Sequence, residues 1–216
     1  MNIPDSASNS GKDRFCPRET CSRCVRHLGS CLASTQAGRS QRGGASGNIP
    51  LPLPNCVHYV SEPVGENLQY AVTDKDGRLL ACLLFGSAAW KCKPRDGFIG
   101  WNTEQRQRNL HLVTNNTRFL ILPFVRVPHL ASWILGRVLR RLSADWRNKY
   151  GHPILLVETF VERERFAGTS YKAANWLRLG STTGRSRQDR RHTLDVPVKD
   201  VYTYPLHRRF RRELSA

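Results

Sequence analysis

The stretch 118–160 decides the fold: RFLILPFV (118–125), then LASWILGRVLRRLSADWRNKY (130–150), then PILLVETF (153–160). The first and third pieces are apolar almost throughout, as strands buried on both faces are. Between them, Leu130, Ile134, Val138 and Leu142 recur every fourth position with Trp133 and Trp146 alongside. That spacing predicts an amphipathic helix of about five turns, stopped by Gly151 and then Pro153. A strand, a long helix and a second apolar strand imply a sheet that needs cover on both faces. The expected fold class is therefore α+β, a mixed central sheet flanked by helices.

Working outward, LQYAVT (68–73) alternates like a strand, DKDG (74–77) is a turn, and LLACLLF (79–85) is an apolar strand. Together they predict an antiparallel hairpin with Cys82 as a small buried hydrophobe. RDGFIGW (95–101) reads as a short strand between glycines. Asn102 and Gln105 have capping-box spacing, which predicts a helix over 103–113 that Asn115 and Asn116 end. Further helix is expected over 169–178 and a last alternating strand over 199–204. Residues 1–55 contain GRSQRGGASG (38–47) and the alternating Pro50, Pro52 and Pro54, and read as a disordered, low-complexity, basic tail. The ordered domain is expected over 57–210, followed by a C-terminal tail over 211–216.

The 216 residues include 34 Lys and Arg against 17 Asp and Glu, a formal charge of +17. Such a globule attracts polyanions, and its arginines suit phosphate, so DNA or RNA is the expected partner. No apolar run approaches the roughly 18 residues of a bilayer span, and MNIPDSASNS lacks both a basic start and an apolar h-region. A cytoplasmic protein with no membrane partner is expected. Seven cysteines without a secretory leader do not imply disulfides. Cys16, Cys21, Cys24 and Cys31 with His27 contain one C-x-x-C pair and no surrounding apolar residues, so no metal site is assigned.

Two carboxylates are candidate catalytic groups. Asp96 lies beside Arg95, with Trp101 as a platform for a base; the plainer account is an Arg–Asp pair fixing a loop and Trp101 in the core. Glu158 ends an apolar strand, where desolvation raises a carboxyl pKa unless a neighbouring Arg satisfies it. For nucleic acid, the candidates are Arg95, Trp101, Thr169 at the start of a helix, Lys172, Asn175, and the loop residues Arg185, Arg187, Arg190 and Arg191. Thr169 also reads as an ordinary N-cap, and Trp176 as core. Arg208, Arg209, Arg211 and Arg212 add a basic end run. No hydrolase triad, Walker loop or dinucleotide glycine fingerprint is present, and no cofactor is assigned.

LQYAVTDKDGRLLACLLFGSAAW (68–90), RDGFIGW (95–101), NTRFLILPFVRVPHLASWIL (116–135), LLVETFVERERFAGTSYKAANWLRLGSTTGRSR (155–187) and VKDVYTYPL (198–206) together resemble the Druantia protein A family. His58-Tyr59-Val60 resembles the end of a longer helical region upstream in that family. The resemblance implies an anti-phage defence or transposable-element setting, with other defence-system or transposase subunits as partners. A more distant resemblance, over 118–181, is to the GNAT acyltransferases. Residues 126–131 (RVPHLA) stand in the place of that superfamily's Arg/Gln-x-x-Gly-x-Gly/Ala loop, with His129 for the first glycine and Pro128 beside it. Trp176 stands where its tyrosine general acid would be. This implies a GNAT-like fold and, as an alternative function, a group transferase acting on a nucleic-acid or small-molecule acceptor. A second alternative is a non-catalytic assembly subunit.

Overall fold

A computed structural model describes residues 65–184 and 196–216, with the backbone of Leu32–Thr35. The strands are β1 (Leu32–Thr35), β2 (Leu68–Thr73), β3 (Leu79–Ser87), β4 (Val113–Ile121), β5 (Leu156–Glu162), β6 (Leu177–Ser181) and β7 (Lys199–Pro205). The helices are α1 (Lys93–Ile99), α2 (Thr103–Asn109), α3 (Leu130–Tyr150), α4 (Thr169–Ala173) and α5 (Phe210–Leu214), with a 3-10 turn over Leu110–Leu112. The strands form one sheet in the order β1-β2-β3-β4-β5-β7-β6. Every described pairing is antiparallel except β4 with β5. The expected mixed sheet flanked by helices is what the chain forms.

The α3 seam Ile134, Leu135, Val138, Leu142 and Trp146 is buried against Leu68, Tyr70 and Val72 of β2 and Ala81, Leu83 and Phe85 of β3. Each such side chain contributes roughly 1.5–3 kcal/mol by leaving water. Gly151 ends α3 at φ 84, a left-handed conformation that suits glycine. On the opposite face, Ile99, Trp101, Val113, Leu156, Phe210 and Leu214 make a second core under α1, α2 and α5. The sheet is therefore covered on both sides near β4 and β5. Burial alternates along β3, so its apolar run does not mean burial on both faces, and Cys82 is half-buried.

Several boundaries differ from the sequence reading. The expected strand over 95–101 is the helix α1, which Pro94 starts and Gly100 closes at φ 84; Gly97 inside it masks the helical pattern. The Asn102–Gln105 capping box is present, but α2 stops at Asn109. Asn115 and Asn116 do not end a helix: they lie within β4, which begins at Val113 rather than Arg118. Asn116 tolerates the interior because its Nδ2 donates to Leu84 O at 3.1 Å and Arg118 O at 3.0 Å. The helix expected over 169–178 is the single turn α4, because Asn175 turns left-handed at φ 63 and the chain continues as β6. Leu32–Thr35, inside the expected tail, pairs with β2. The remainder of 1–64 lies outside the described residues, including Cys16, Cys21, Cys24, His27 and Cys31. At the other end, 211–216 is not a loose tail. Leu214 is fully buried, Asn109 Nδ2 donates to Leu214 O at 3.0 Å, and the Gln105 side-chain amide donates to Ser215 O.

Asp200 ties the far side of the sheet together, accepting from Arg178 at 2.9 Å, Arg163 at 2.8 Å and Ser181 Oγ at 2.8 Å. The Arg178 hydrogen bond, helped by Arg163 and Ser181, holds its carboxyl well below the usual carboxylate range and outweighs desolvation. The folded pKa lies below the unfolded one, so this contribution is full above the ordinary Asp value and fades as pH falls through the folded one. Denaturation midpoints of wild type and Asp200→Asn should therefore differ at pH 7 and converge toward pH 2; a gap that does not narrow refutes this assignment.

Candidate functional site

Beside the second core sits a charged network in which Arg95 and Glu158 are closed to solvent and Asp96 is partly exposed. Arg95 and Glu158 are both fully buried, and Arg95 Nη1 donates to Glu158 Oε2 at 2.9 Å and to Ala89 O at 2.7 Å. Its Nε and Nη2 donate to Asp96 Oδ1 at 3.0 and 2.8 Å. The other Glu158 oxygen accepts Ala89 N–H at 2.7 Å. Trp101, 7% exposed, donates Nε1–H to Asp96 Oδ1 at 3.0 Å. Burial pushes the Glu158 carboxyl up against the pull of Arg95. Desolvation alone would lower the Arg95 pKa, but attraction from Glu158 and Asp96 outweighs it and the guanidinium is raised. Both Glu158 oxygens are occupied and its side chain has no exposure, which leaves a substrate no approach to it. Arg95 and Trp101, expected to touch nucleic acid, are likewise committed inside. Burial also pushes the nearby Cys92 thiol up to about 11, so it is no nucleophile at neutral pH.

The open space lies elsewhere. β4 and β5 pair only through Val113–Leu156, Thr114–Val157 and Asn115–Glu158. Beyond that point they part around a cleft of about 560 Å³. A register shift between β3 and β4 sets Phe85 opposite Asn116 and Leu84 opposite Arg118, the bulge that re-aims side chains beside many sites. Successive β5 side chains point to opposite faces, so Thr159 borders the cleft while Glu158 enters the network. Thr159 Oγ1 donates to Asn116 O at 2.9 Å, and Tyr171 Oη donates to Asn116 Oδ1 at 2.8 Å. Burial pushes the Tyr171 hydroxyl up, so it remains protonated and a donor. Thr169 and Tyr171 line the cleft, whereas Lys172 and Asn175 lie on the exposed outer side of α4 and its exit. The cleft mouth carries Arg118, Arg165 and Lys199 against Glu162, with Phe166 58% exposed. Tyr171, not Trp176, is the hydroxyl facing this space; Trp176 is 4% exposed and packs on Tyr171 and Tyr204.

Gly168 closes one wall at φ 67. A Cβ there would lie 2.5 Å from Tyr202 Oη and 2.8 Å from its Cζ. Gly168→Ala combines backbone strain with a clash against a buried ring, and should cost about 2–4 kcal/mol. A thermal unfolding midpoint unchanged in that variant would contradict the packing described.

The resemblance to GNAT enzymes implies coenzyme A at the α3 end of this cleft, but the residues present do not suit it. Pro128 carries no N–H, and Leu130 N–H is committed to Val127 O at 3.3 Å. His129 adopts φ 59, placing an imidazole-bearing residue at the left-handed position where a glycine would leave room for pyrophosphate.

Residues 56–195 match the family model for Druantia protein DruA. The chain belongs to this family. No curated protein matches it. Among solved structures it is similar to a spermidine N-acetyltransferase mutant from Vibrio cholerae, at 9% identity over 67% of this chain and 68% of that one, with a TM-score of 0.44. It is also similar to a GNAT-family acetyltransferase from Bacillus cereus, at 11% identity over 63% and 69%, with a TM-score of 0.39. The topology of this Druantia-family chain is antiparallel strands leading into a parallel pair that splays beside a long helix.

The described residues show part of the exposed charge. Arg185, Arg187, Arg190 and Arg191 lie outside the described residues. Arg95, Arg163 and Arg178 are bound to carboxylates, and Arg141 is tied to Asp145 at 2.6 Å. On α3, by contrast, Arg137, Arg140 and Arg147 are exposed with no ion pair to any described residue. The helix has one acidic residue, Asp145, and that is held by Arg141 and Tyr70. Positions 137, 140 and 147 share one helical face about 15 Å long, and Arg137 stacks 5.0 Å from the Trp133 ring centroid. The signal was present as the complement of the apolar spacing that identified α3.

Proposed function

We propose that this Druantia-family protein acts in anti-phage defence by binding nucleic acid, with the outer face of α3 as a phosphate-contacting surface. The observation that carries the reading is the run of Arg137, Arg140 and Arg147 on one rigid helix face without carboxylate partners among the described residues. Arginine forks pair with phosphate oxygens, and a rigid helix sets their spacing at no ordering cost. The formal charge of +17 provides long-range attraction to the same polyanion. Binding of single- and double-stranded DNA and RNA across a salt series, for wild type and for the triple Arg→Ala variant of this face, tests it. An identical salt dependence in the two proteins would rule the face out.

A second reading, group transfer within the cleft, is favoured by one observation: the β4–β5 splay is open, and polar groups from Asn116, Thr159 and Tyr171 meet at its floor. It requires a group donor other than coenzyme A, since the 126–131 loop does not suit that cofactor. Neither Asp96 nor Glu158 lines this cleft.

A further inference from the structure

A second recess, of about 480 Å³, opens between α1 and α2 on the face of the sheet opposite α3. Lys91, Lys93 and Arg106 line it, together with Asp96, Gly97 and Trp101. The one carboxylate there is already committed. Asp96 Oδ1 accepts two Arg95 N–H groups and Trp101 Nε1–H, while Oδ2 accepts Cys92 N–H at 3.2 Å. Arg106 reaches that carboxylate only at 3.5 Å. Its side chain is 10% exposed, and its Nε is a buried donor with no hydrogen-bond partner. Leaving a buried donor unpaired is costly, and with Asp96 only at 3.5 Å the Arg106 guanidinium at this recess is incompletely satisfied. With Arg95 and Glu158 neutralising each other and Asp96 set against Arg106, the two exposed lysines remain as uncompensated charge.

The acceptor that fits is an anion with several oxygens, because Arg106 and two lysines line one recess. A neighbouring ring says what the anion is attached to. The Arg106 guanidinium lies over the Trp90 indole, 5.9 Å from its centroid, and Trp90 is 38% exposed. Trp90 does not line the recess itself, but a phosphate on Arg106 places an attached base beside this exposed ring, and aromatic rings stack bases without regard to sequence. The volume is that of a small-ligand site.

We propose that the α1–α2 recess binds the phosphate of a nucleotide, with Arg106, Lys91 and Lys93 on the phosphate and Trp90 against the base. The phosphate comes either from a free nucleotide or from a nucleic-acid strand. The site does not rest on the α3 reading, from which the sheet separates it.

Calorimetric titration of the full chain with inorganic phosphate, adenosine monophosphate and a 5′-phosphorylated single-stranded oligonucleotide tests the proposal. Lys91→Ala/Lys93→Ala alters only exposed side chains and should weaken binding at least tenfold; Arg106→Gln should abolish it. Because Arg106 is nearly buried, the ¹⁵N resonance of its Nε in the wild-type protein supplies a second readout and should shift on addition of adenosine monophosphate. Tight binding of the mononucleotide identifies a free nucleotide as the source, and tight binding of the oligonucleotide with a weak mononucleotide identifies a strand. The Arg137→Ala/Arg140→Ala/Arg147→Ala variant should retain recess binding, so loss at one site is separable from loss at the other. The proposal is overturned if none of the three probes binds at millimolar concentration, or if binding is the same in the double-lysine variant and leaves the Arg106 resonance unmoved.

Discussion

Arg95→Ala should destabilise the protein by about 3–5 kcal/mol, because it strands the Glu158 charge in a site without solvent, and Glu158→Ala should cost less, because Arg95 keeps its ion pair with Asp96. Both side chains have zero exposure. Arg95→Ala would also leave Ala89 O and Asp96 Oδ1 short of donors. Against a total stability of roughly 5–15 kcal/mol for a domain, that loss takes a large share or all of the margin. Urea midpoints would measure it. The double variant Arg95→Met/Glu158→Leu should recover part of the loss, since it leaves no stranded partner charge but does not restore the bonds to Ala89 and Asp96. The same set decides the role of Glu158. If Glu158 were a general base, Glu158→Gln would remove activity at unchanged stability. The network instead predicts a stability loss, smaller than that of Glu158→Ala, because Gln can still accept from Ala89 N–H at one oxygen while losing the Arg95 ion pair. A Glu158→Ala protein as stable as wild type would refute the structural role.

The fold was legible in sequence where one period dominated. The four-residue recurrence from Leu130 to Leu142 placed α3, and the turn DKDG between two strand-like runs placed the β2–β3 hairpin. Legibility failed where a polar residue served the interior. Asn116 reads as a helix stop, but it bridges the bulge of β4 and receives Tyr171, a contact 55 residues away that no local pattern encodes. Asn175 hid the end of α4 for the opposite reason. A non-glycine residue there adopts the left-handed turn that only a glycine would have announced, so β6 was absorbed into a longer helix. The site was legible by type and not by role. Arg95, Asp96 and Trp101 were singled out as one group and Glu158 separately at a strand end, and the structure brings the two together. That they satisfy one another, and so withdraw from any ligand, depends on long-range pairing such as Arg95 with Glu158. The Druantia-family segments, in contrast, were recognisable because they run in order from β2 to β7, independent of any single side chain.

Replacing Arg137, Arg140 and Arg147 together by Ala should flatten the salt dependence of nucleic-acid binding by about 2–3 units in the slope of log K against log salt. Each phosphate neutralised on a duplex contributes roughly −0.9 to that slope, so three contacts amount to about −2.7. Between 50 and 200 mM salt the wild-type affinity should therefore fall about 40-fold further than that of the variant. The change should be nearly free of stability effects, because all three side chains are exposed and surface substitutions usually stay within about 0.5 kcal/mol. Arg141 is the internal control. It shares the helix and the charge, but its guanidinium holds Asp145, which in turn accepts the Tyr70 hydroxyl at 2.8 Å. Arg141→Ala should lower the unfolding midpoint while leaving the salt slope almost unchanged. If Arg141→Ala instead flattened the slope as much as one member of the stripe, net charge alone would govern binding and the geometry of this face would be irrelevant. If the triple variant kept the full slope, the phosphates would be held elsewhere, and the α3 face would lose its part in nucleic-acid recognition.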